Sequence, residues 1–429
     1  MSIPVHLPEL LPVFQELLPS RLIQEWLRKS ERRFYQRLFT PLVTLWGLIF
    51  QRLNPDHSCD AALAHISSGA VDDLDAGHDH PLSQRIRSES TAAYCKARQR
   101  LPLSVLQEAL CHTASVIQEW SGTEGQWRGH TVHLLDGSTL RARPTPELEA
   151  HYGHHTNQHG ATYWIIIRVV VAFMLFNGTI SGVAEGPLHS SEQELAAALL
   201  LSARPGDGYV GDRNFGVFSF LQAVRHAGAW ALVRLTARRA QALLGRLPRP
   251  GEDVRVSWKP SRHDQTHPDM STDPIEGRLL CVRIERRGFR PLDLYLFTTL
   301  LDPERYPLEA LAELYGWRWH AELNLRYVKT SLEMEEVAGK SPEMVRKEIW
   351  AGLLAYNLLR GVMVQAARRG KVSPLELSFT QCWRRIWQAL AFGLRGLAHQ
   401  AERARQLEQL LWQLLRCRLP QRPAFRIEP

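Results

Sequence analysis

The segment YGWRWHAELNLRYVKT (315–330) contains four side chains that together could bind a metal ion and a phosphate. They are Tyr315, Arg318, Glu322 and Lys329. An α-helix turns by about 100° per residue, so this spacing would place all of them within an arc of about 60° on one face. A single carboxylate surrounded by cations favours a site that holds a metal ion beside a phosphate. In a helix considered alone, however, such charges more often form solvent-exposed ion pairs along its surface. The rest of the sequence has to decide between these two interpretations.

Two aspartates occur where a sheet could present them to that helix. Asp136 is predicted to end a short apolar strand, TVHLLDG, and Asp212 to end a second one, GYVGD. Carboxylates suit Mg²⁺, which prefers oxygen ligands and keeps several waters. Two such ions about 3.5–4 Å apart stabilise the attacking and leaving oxygens of a phosphoryl displacement. Because Asp-Gly and Gly-Asp pairs are also common in turns, the prediction depends on the joint placement of Asp136, Asp212 and Glu322.

The composition is that of a folded protein with an anionic partner. The chain has 429 residues, which allows two or three domains, and contains 45% apolar and 22% charged residues. A formal net charge of +8 favours a partner such as nucleic acid. Arginine contributes most of this excess and can bind phosphate through two parallel hydrogen bonds, although solvated surface arginines would explain any single cluster equally well.

The cysteines and the apolar segments indicate the cellular compartment in which the protein is expected. Six cysteines occur without CxxC spacing, so the sequence indicates neither a disulfide framework nor a zinc finger and favours a reducing compartment. The N-terminal MSIPVHLPELLPVF lacks the basic start and apolar core of a signal peptide. The most apolar run, TYWIIIRVVVAFMLF, contains Arg168 and many β-branched residues, which predicts a buried strand rather than a membrane span. We therefore expect a cytoplasmic protein without a membrane partner.

The order of the predicted elements indicates a mixed α/β sheet between two helical regions. Residues 1–125 have apolar residues at helical spacing. From about residue 130, three strands, a helix, a strand, a helix and another strand follow, with a hairpin turn at Asn177-Gly178. Residues from about 236 to 300 are strand-like and basic, which predicts a β-rich insertion, and the chain is helical again after Asp302-Pro303. This order is not that of a doubly wound nucleotide-binding fold.

At this point the sequence resembles the bacterial insertion-sequence transposases with a DDE catalytic triad, and most closely the insertion-sequence-four family. The family signature is Y-x2-R-x3-E-x6-K, and the four side chains of segment 315–330 match it without a gap. The segment AYNLLR (355–360) resembles the ending A-x-N-L-hydrophobic-R of the helix that follows. The resemblance covers residues from about 130 to 365.

Both aspartate motifs of that family also have counterparts. Asp136-Gly137-Ser138 looks like the first, and GDRNF (211–215) looks like the second, which is usually D-R-G-[FY]. Asn214 takes the place of the glycine. Asparagine adopts the left-handed backbone conformation more readily than most residues, so we interpret this difference as a tolerated variation.

The resemblance implies a fold and a domain organisation. The expected fold class is α/β, with a ribonuclease-H-like mixed sheet as catalytic core. The expected domains are a helical N-terminal DNA-binding domain (1–125), a catalytic domain (126–370) with the β-rich insertion at about 236–300, and a helical C-terminal region (371–429) that could serve dimerisation. The expected partners are double-stranded DNA, as terminal inverted repeats and target, and a second copy of the chain in the synaptic complex.

The resemblance also implies a reaction and roles for the residues. Asp136, Asp212 and Glu322 would bind two Mg²⁺ or Mn²⁺ ions, cut a phosphodiester at the element's end, and use the freed 3′-OH for joining to target DNA, with hairpin ends as an intermediate in related members. A second set would contact DNA phosphates: Tyr315, Arg318, Lys329 and Arg213. A third set could stack on a flipped base, although core packing is the default for each member: Trp258, Trp317 and Trp319.

Other interpretations remain open from the sequence. A metal-dependent nuclease without strand transfer would use the same three carboxylates and differ only in its products. A catalytically decayed DNA-binding derivative is a further alternative, against which the intact Asp136, Asp212 and Glu322 argue. The loop HYGHHTNQHG contains four histidines, which suggests zinc, but a solvated polar loop between strands is the favoured interpretation: His151, His154, His155 and His159.

Overall fold

The computed structural model describes most of the chain. The described residues are 16–30, 37–75, 78–154, 156–157, 160–262, 264–266, 271–285, 290–390 and 400–419. Two histidines of the predicted polar loop, His155 and His159, lie outside them.

The strands form one large sheet and one small hairpin. In chain order they are β1 Val132–Ala142, β2 Thr156–Asn157, β3 Gly160–Ala161, β4 Ile165–Met174, β5 Ile180–Pro187, β6 Gly208–Gly211, β7 Trp230–Leu235, β8 Asp253–Trp258, β9 Ile275–Ile284, β10 Leu292–Thr298 and β11 Glu336–Val337. The described residues place nine of them in one sheet, in the order β5-β4-β1-β6-β7-β10-β9-β8, with β11 beside β1. β2 and β3 pair with each other.

The first five strands of that sheet have the ribonuclease-H arrangement. β5, β4 and β1 are antiparallel neighbours, whereas β1, β6 and β7 run parallel. The order of the strands along the chain agrees with this arrangement, because a turn at Asn177-Gly178 joins β4 directly to β5. Gly178 has a φ of 68° in this turn. The parallel strands are joined through helices, as parallel pairing requires. The predicted fold class is therefore confirmed.

The predicted β-rich insertion continues the main sheet. β10 pairs antiparallel with β7, β9 with β10, and β8 with β9, so the hydrogen-bonded ladder runs through without a break. The start of the segment differs from the prediction, because Ala237–Leu244 is a helix in which the Thr236 side chain accepts a bond from the Arg239 amide. The capping bond to Thr236 stabilises a helix here, although the basic, strand-like composition predicts a strand.

The helices surround this sheet. In chain order they are α1 Ser20–Lys29, α2 Pro41–Leu53, α3 Cys59–His65, α4 Leu82–Arg85, α5 Ala92–Arg100, α6 Leu103–Ser121, α7 Pro146–Tyr152, α8 Glu192–Leu199, α9 Phe218–His226, α10 Ala237–Leu244, α11 Leu308–Gly316, α12 Trp319–Arg326, α13 Pro342–Gly370, α14 Phe379–Gln388 and α15 Gln400–Leu415. The described residues contain no helix that is long and apolar enough to cross a membrane. All six cysteines are free thiols.

Helix α13 connects the helical N-terminal region to the sheet. It packs against α2, α6 and α15, and 20 of its 29 residues are buried. Three of the buried residues are charged, and Lys347 and Glu348 bond to α5 while Arg360 bonds elsewhere. Glu348 pairs with Arg98 of α5 at 3.0 Å, and Lys347 donates to the backbone carbonyls of Arg98 and Gln99 at 3.2 and 2.8 Å. Buried charges are stable only when they are bonded, so these contacts fix α5 relative to α13.

Two predicted details of the catalytic segment differ in the structure. Asp136 does not end its strand, because β1 continues to Ala142 in antiparallel pairing with β4. The segment 315–330 is also not one uniform helix, because α11 ends at Gly316, α12 begins at Trp319, and a π-helical turn covers Tyr327–Ser331. A π turn holds more residues than an α turn, so it rotates Lys329 away from the position that regular helical spacing predicts.

We predict that Glu348→Ala strongly destabilises the protein. The substitution leaves Arg98 charged and buried, and it also removes the acceptor of the Ala338 and Gly339 amides. The free energy of unfolding in urea should fall by about 3–5 kcal/mol. The matched control is Glu408→Ala, which removes a half-exposed partner of Arg369 and should cost about 0–1 kcal/mol. Equal losses in the two variants would contradict the role given to Glu348.

Candidate active site

The parallel register brings the two aspartates to the same edge of the sheet. β1 pairs with β6 only as far as Leu134 and Val210, so Asp136 lies two residues beyond the last of these pairs. Asp212 follows directly after Gly211, the last residue of β6. Parallel neighbouring strands present their carboxyl ends on the same side, and a site at such an edge is expected.

Helix α12 supplies the third carboxylate on the matching face of the sheet. Side chains alternate along a strand, so Asp136 shares its face with Leu134. Leu134 packs in the same apolar cluster as Ala321 and Leu325 of α12. Glu322 therefore lies on the helix that covers the Asp136 face, and its exposed fraction of 41% keeps it open to solvent.

Arg318 is bonded to this carboxylate. Its guanidinium donates to Glu322 Oε1 at 2.5 Å across one helical turn. Arg318 also lowers the pKa of Asp136, which indicates that the same cation serves two carboxylates. An arginine shared in this way offsets part of the repulsion that builds up when like charges gather.

The electrostatics of Asp136 reflect that repulsion. Burial raises the pKa of Asp136 to about 7, and the charges of Glu322 and Asp212 act in the same direction. Arg318 and the bond from the Gly137 amide to Asp136 Oδ1, 3.0 Å long, act in the opposite direction and are outweighed. Strongly shifted carboxyl groups in an open site are typical of functional centres.

The donor set fits a hard divalent cation, although the carboxylates are not arranged around one. Within the described part of the chain, no three His, Cys, Asp or Glu side chains form a group that could hold a metal ion. Carboxylate oxygens are the ligands that Mg²⁺ prefers, and a cation would relieve the repulsion that raises the pKa of Asp136. Glu322 would first have to exchange Arg318 for the ion.

The other predicted phosphate contacts lie in different environments. Tyr315 is only 5% exposed, and burial raises the pKa of its phenol, so its hydroxyl stays neutral behind Arg318. Lys329 is half-buried on the π-helical turn, and Arg213 is exposed beside Asp212. Two of these cations, Arg318 and Arg213, flank the carboxylates from the helix and from the strand end. The phosphate-binding roles of all four residues stay predictions.

The three tryptophans that could stack on a base are partly or fully packed. Trp258 is 7% exposed and meets Phe297 edge to face at 5.1 Å. Trp317 packs edge to face against Phe176 at 5.4 Å, and Trp319 lies over the neighbouring His320 at 4.2 Å. Trp258 is thus packed in this structure while Trp317 and Trp319 are half-buried, and base stacking stays a prediction for all three.

Glu192 supports both aspartate segments from the opposite face of the sheet, a role that the sequence did not suggest. A Cβ atom on Gly137 would lie 2.5 Å from the Glu192 carboxyl group, so a larger residue beside Asp136 would displace the Glu192 side chain. Glu192 pairs with Arg168 at 3.3 Å and accepts from the Asn214 amide at 3.2 Å. Asn214 thereby ties the Asp212 turn to α8 with a bond that glycine could not make.

Arg360 fixes the helix that carries Glu322. It is 2% exposed, donates to Asn324 Oδ1 at 2.5 Å and to the Tyr356 hydroxyl at 2.8 Å, and lies over the rings of Tyr356 and Phe379. The Tyr356 hydroxyl in turn donates to the Gly178 carbonyl at 3.1 Å. Arg360 belongs to the AYNLLR segment, so the motif was visible in the sequence, but its contact with Asn324 requires the fold.

The histidine loop shows ordinary pairing where it is described. His154 lies 3.0 Å from Glu149, and His151 lies 3.2 Å from Arg346. These contacts agree with a solvated polar loop. The remaining two histidines are outside the described residues.

The comparisons with known proteins concern this same part of the chain. Residues 127–358, more than half of the chain, match the family model described as "Transposase DDE domain". The match includes both strand aspartates, the Arg318–Glu322 pair, and α13 as far as Leu358. The part of the chain that carries the geometry above is therefore the part that the family model recognises.

Individual relatives are also similar. "Transposase InsG for insertion sequence element IS4" of Escherichia coli (strain K12) is 27% identical over 297 residues, which are 68% of this chain and 65% of that protein. The match thus spans slightly less than two thirds of that relative's length. "Transposase for insertion sequence element IS421" of Escherichia coli is 32% identical over 68 residues, 16% of this chain and 18% of that protein. A solved structure, "Cryo-EM structure of piggyBac transposase synaptic complex with hairpin DNA (SNHP)", aligns with a TM-score of 0.41 and 9% identity over 93% of this chain and 84% of that one.

We predict that the parent protein becomes less stable as pH rises and that Asp136→Asn reduces this pH dependence. The pKa of Asp136 is about 7 in the folded protein against an ordinary value of 3.8, so between these values the folded protein keeps a proton that the unfolded chain has lost. The free energy of unfolding of the parent therefore falls as pH rises from about 4 to about 7. Urea unfolding in EDTA at pH 5 and pH 8 should show a smaller fall for Asp136→Asn. A control at an exposed position, Asp79→Asn, should follow the parent, and identical pH dependence in all three proteins would refute the prediction.

We further predict that Asn324→Ala destabilises the protein although the side chain it removes is small. The substitution takes away the acceptor of a buried arginine, and hydrogen bonds to charged groups contribute about 1.5–3 kcal/mol. The free energy of unfolding should fall by about that amount. Arg326→Ala, on the exposed side of the same helix, is the control and should change it by no more than about 0.5 kcal/mol. The assignment of Asn324 fails if both variants unfold at the same urea concentration.

Proposed function

This chain belongs to the DDE transposase family, and on that basis we propose that it is a DNA transposase that cuts the ends of its insertion sequence and joins them to target DNA. The similarity to the IS4-element transposase agrees with the resemblance to the insertion-sequence-four family. The proposal is supported by Asp136 and Asp212 at one edge of the ribonuclease-H-like sheet and by the charge of Glu322, which acts on Asp136 from the neighbouring helix.

The proposed reaction consists of two displacements at phosphorus. In the first, water attacks a phosphodiester at the element's end, a new P–O bond forms, and the bond to the 3′ oxygen breaks and leaves a 3′-OH. In the second, this 3′-OH attacks a phosphodiester of the target, and the broken strand of the target leaves with its own 3′-OH. Each step exchanges one P–O bond for another, so neither needs an oxidant or a high-energy cofactor.

The three carboxylates would hold the metal ions that such a reaction uses. We propose Asp136, Asp212 and Glu322 as the ligands of two Mg²⁺ or Mn²⁺ ions, which when bound supply charge stabilisation at the reacting phosphate and lower the pKa of water. Glu192 and Asn214 keep the Asp212 turn beside the Gly137 backbone. The bond from Arg360 to Asn324 holds α12, and with it Glu322, against α13.

The cations of the site would hold the DNA. Arg318, released from Glu322, presents a forked guanidinium that can bind a phosphate with two parallel bonds, and the neutral Tyr315 supports it from the buried side. Lys329 and Arg213 would contact flanking phosphates, which explains why cations lie on both sides of the carboxylates. Residues 1–125 would bind the terminal inverted repeats.

The C-terminal region would serve assembly of two ends. We propose residues 371–429 as a self-association region of a homodimeric complex. Trp412 of α15 is 58% exposed, which is unusual for so large an apolar side chain and is typical of contact surfaces. Arg369 of α13 bonds to Glu408 of α15 at 2.6 Å and so helps to hold α15 in place.

We predict that Glu322→Gln abolishes cleavage and joining while DNA-end binding persists. The change keeps the size of the side chain but removes the charge of a metal ligand. The purified protein would be incubated with a plasmid carrying the element's own ends, in Mg²⁺ and in EDTA, and nicked, hairpin and joined products would be separated on a denaturing gel. Glu335→Gln, at an exposed position beyond the π-helical turn, is the matched control and should retain activity.

The products decide between the functions that share this site. Metal-dependent cleavage followed by joining supports the transposase. Cleavage without joining would instead assign a nuclease, and end binding without cleavage in either metal would assign a decayed DNA-binding derivative. An active Glu322→Gln variant would remove Glu322 from the ligand set.

A further inference from the structure

Two thiols of the helical N-terminal region lie in contact with each other. Cys59 is the first residue of α3, Cys95 lies in α5, and their sulfur atoms are 3.8 Å apart. The two helices already pack against each other. In a disulfide the sulfur atoms are about 2 Å apart, so they have to approach by about 2 Å, a shift that rotation of the side chains can supply.

Arg98 places a positive charge on one of these thiols. Its guanidinium donates to Cys59 Sγ at 2.7 Å through Nη1 and to Glu348 Oε1 at 3.0 Å through Nη2. The thiolate is the nucleophilic form of cysteine, and a bonded cation favours it. Cys59 is therefore the thiol that reacts first, and Cys95 lies where a second thiol can reach the product.

The electrostatics of Cys59 set the speed of this chemistry. Burial raises the pKa of the Cys59 thiol, and the Arg98 cation acts in the opposite direction without cancelling that effect. The protonated thiol consequently dominates at neutral pH, and the reaction proceeds through a minor thiolate fraction. We therefore expect a slow reaction with an added oxidant rather than the rapid one of a strongly acidic thiol.

Solvent access separates this thiol pair from a second one. Cys59 and Cys95 are both half-buried, which leaves access for a molecule as small as hydrogen peroxide. Cys382 of α14 and Cys417, which follows α15, also bond to each other, but both are 0% exposed. Of these two pairs, the first is open to a dissolved oxidant while the second is closed to it as long as the protein is folded.

We propose that Cys59 and Cys95 are a modification site at which a peroxide forms a reversible disulfide between α3 and α5. In the first step the Cys59 thiolate attacks one oxygen of hydrogen peroxide, the O–O bond breaks, and a sulfenic acid forms while hydroxide leaves. In the second step the Cys95 thiolate attacks this sulfur, the S–S bond forms, the S–O bond breaks, and a second hydroxide leaves. The protons lost by the two thiols convert both hydroxides to water, so the thiols are oxidised by two electrons and the peroxide is reduced.

The disulfide forms beside the contact that fixes α5 to α13. A neutral disulfide sulfur is a weaker acceptor than a thiolate, so oxidation exchanges the Arg98–Cys59 bond for a covalent bond between the same two helices. The Arg98–Glu348 pair does not involve the sulfur and persists. The link closes the chain between residues 59 and 95 into a loop and prevents α3 and α5 from separating. The inference does not depend on the proposed function, because none of these groups belongs to the carboxylate site.

The test is oxidation of the folded full-length protein by hydrogen peroxide at neutral pH. One disulfide lowers the intact mass by about 2 Da, and a reducing agent restores the original mass. Peptide mapping without reduction should give a Cys59–Cys95 cross-link and leave Cys382 and Cys417 unlinked. Cys111→Ser is the matched control, since it removes an exposed thiol of α6 and should form the same cross-link as the parent.

Two substitutions separate the roles of the thiols. Cys95→Ser removes the second thiol, so Cys59 should stop at the sulfenic acid, which dimedone traps as a covalent adduct. Cys59→Ser should give neither the disulfide nor an adduct at Cys95. An adduct at Cys95 in the Cys59→Ser variant, with none at Cys59 in the other variant, would overturn the order of attack.

The parent protein decides the proposal even where a variant fails to fold. Absence of the Cys59–Cys95 cross-link after oxidation, with the melting temperature showing a folded protein, would overturn the modification site. A Cys382–Cys417 cross-link in the folded protein would overturn the selectivity that burial predicts. Cleavage of DNA enters none of these readouts, so failure of the proposed function leaves the result unchanged.

Discussion

The buried polar side chains of α13 are the constraint on which the rest of this structure depends. An apolar helix could pack against the sheet in several registers, whereas a buried charge or amide is stable only where its partner lies. Glu348 and Lys347 bond to α5, and Arg360 bonds to Asn324 of α12. Asn357 donates to the Ile180 carbonyl and accepts from the Ile180 amide, so it also fixes α13 against β5. One helix thereby sets the positions of α5, the Glu322 helix and the antiparallel edge of the sheet.

The active-site carboxylates form the opposite kind of arrangement, because the fold gathers charges of the same sign. Burial and two neighbouring carboxylates raise the pKa of Asp136, and Arg318 offsets only part of the repulsion. A site of this kind is less stable empty than filled, since bound cations neutralise the charges that the fold holds together. The rigid supports from Glu192 and Arg360 counteract the tendency of such a cluster to move apart. The bonds that stabilise the fold at Glu192 and Arg360 therefore also hold the reactive carboxylates in position.

The differences between expectation and structure have local physical causes. Asp136 was expected at a strand end because Asp-Gly is a turn signal, but ten ladder pairs with β4 carry β1 through it to Ala142. Long-range pairing outweighs a two-residue turn preference. The segment 315–330 was treated as one helix because its charges have helical spacing, and the sequence holds no signal for the π turn at Tyr327–Ser331. Trp258 could be placed in the core only once β8 was known to pair with β9 in the same sheet.

The sequence by itself determined the fold class, the family and the types and spacing of the chemical groups. Hydrophobic periodicity and turn residues decide the order of helices and strands, and the signature residues are visible because their spacing lies within a single segment. Only the tertiary structure decided which distant groups meet: the Arg318 cation shared by Asp136 and Glu322, the bond of Asn214 to Glu192, and the fixing of α12 by Arg360. Such contacts join residues far apart in the chain, and no local preference encodes them, because they arise from burying polar groups that must find partners.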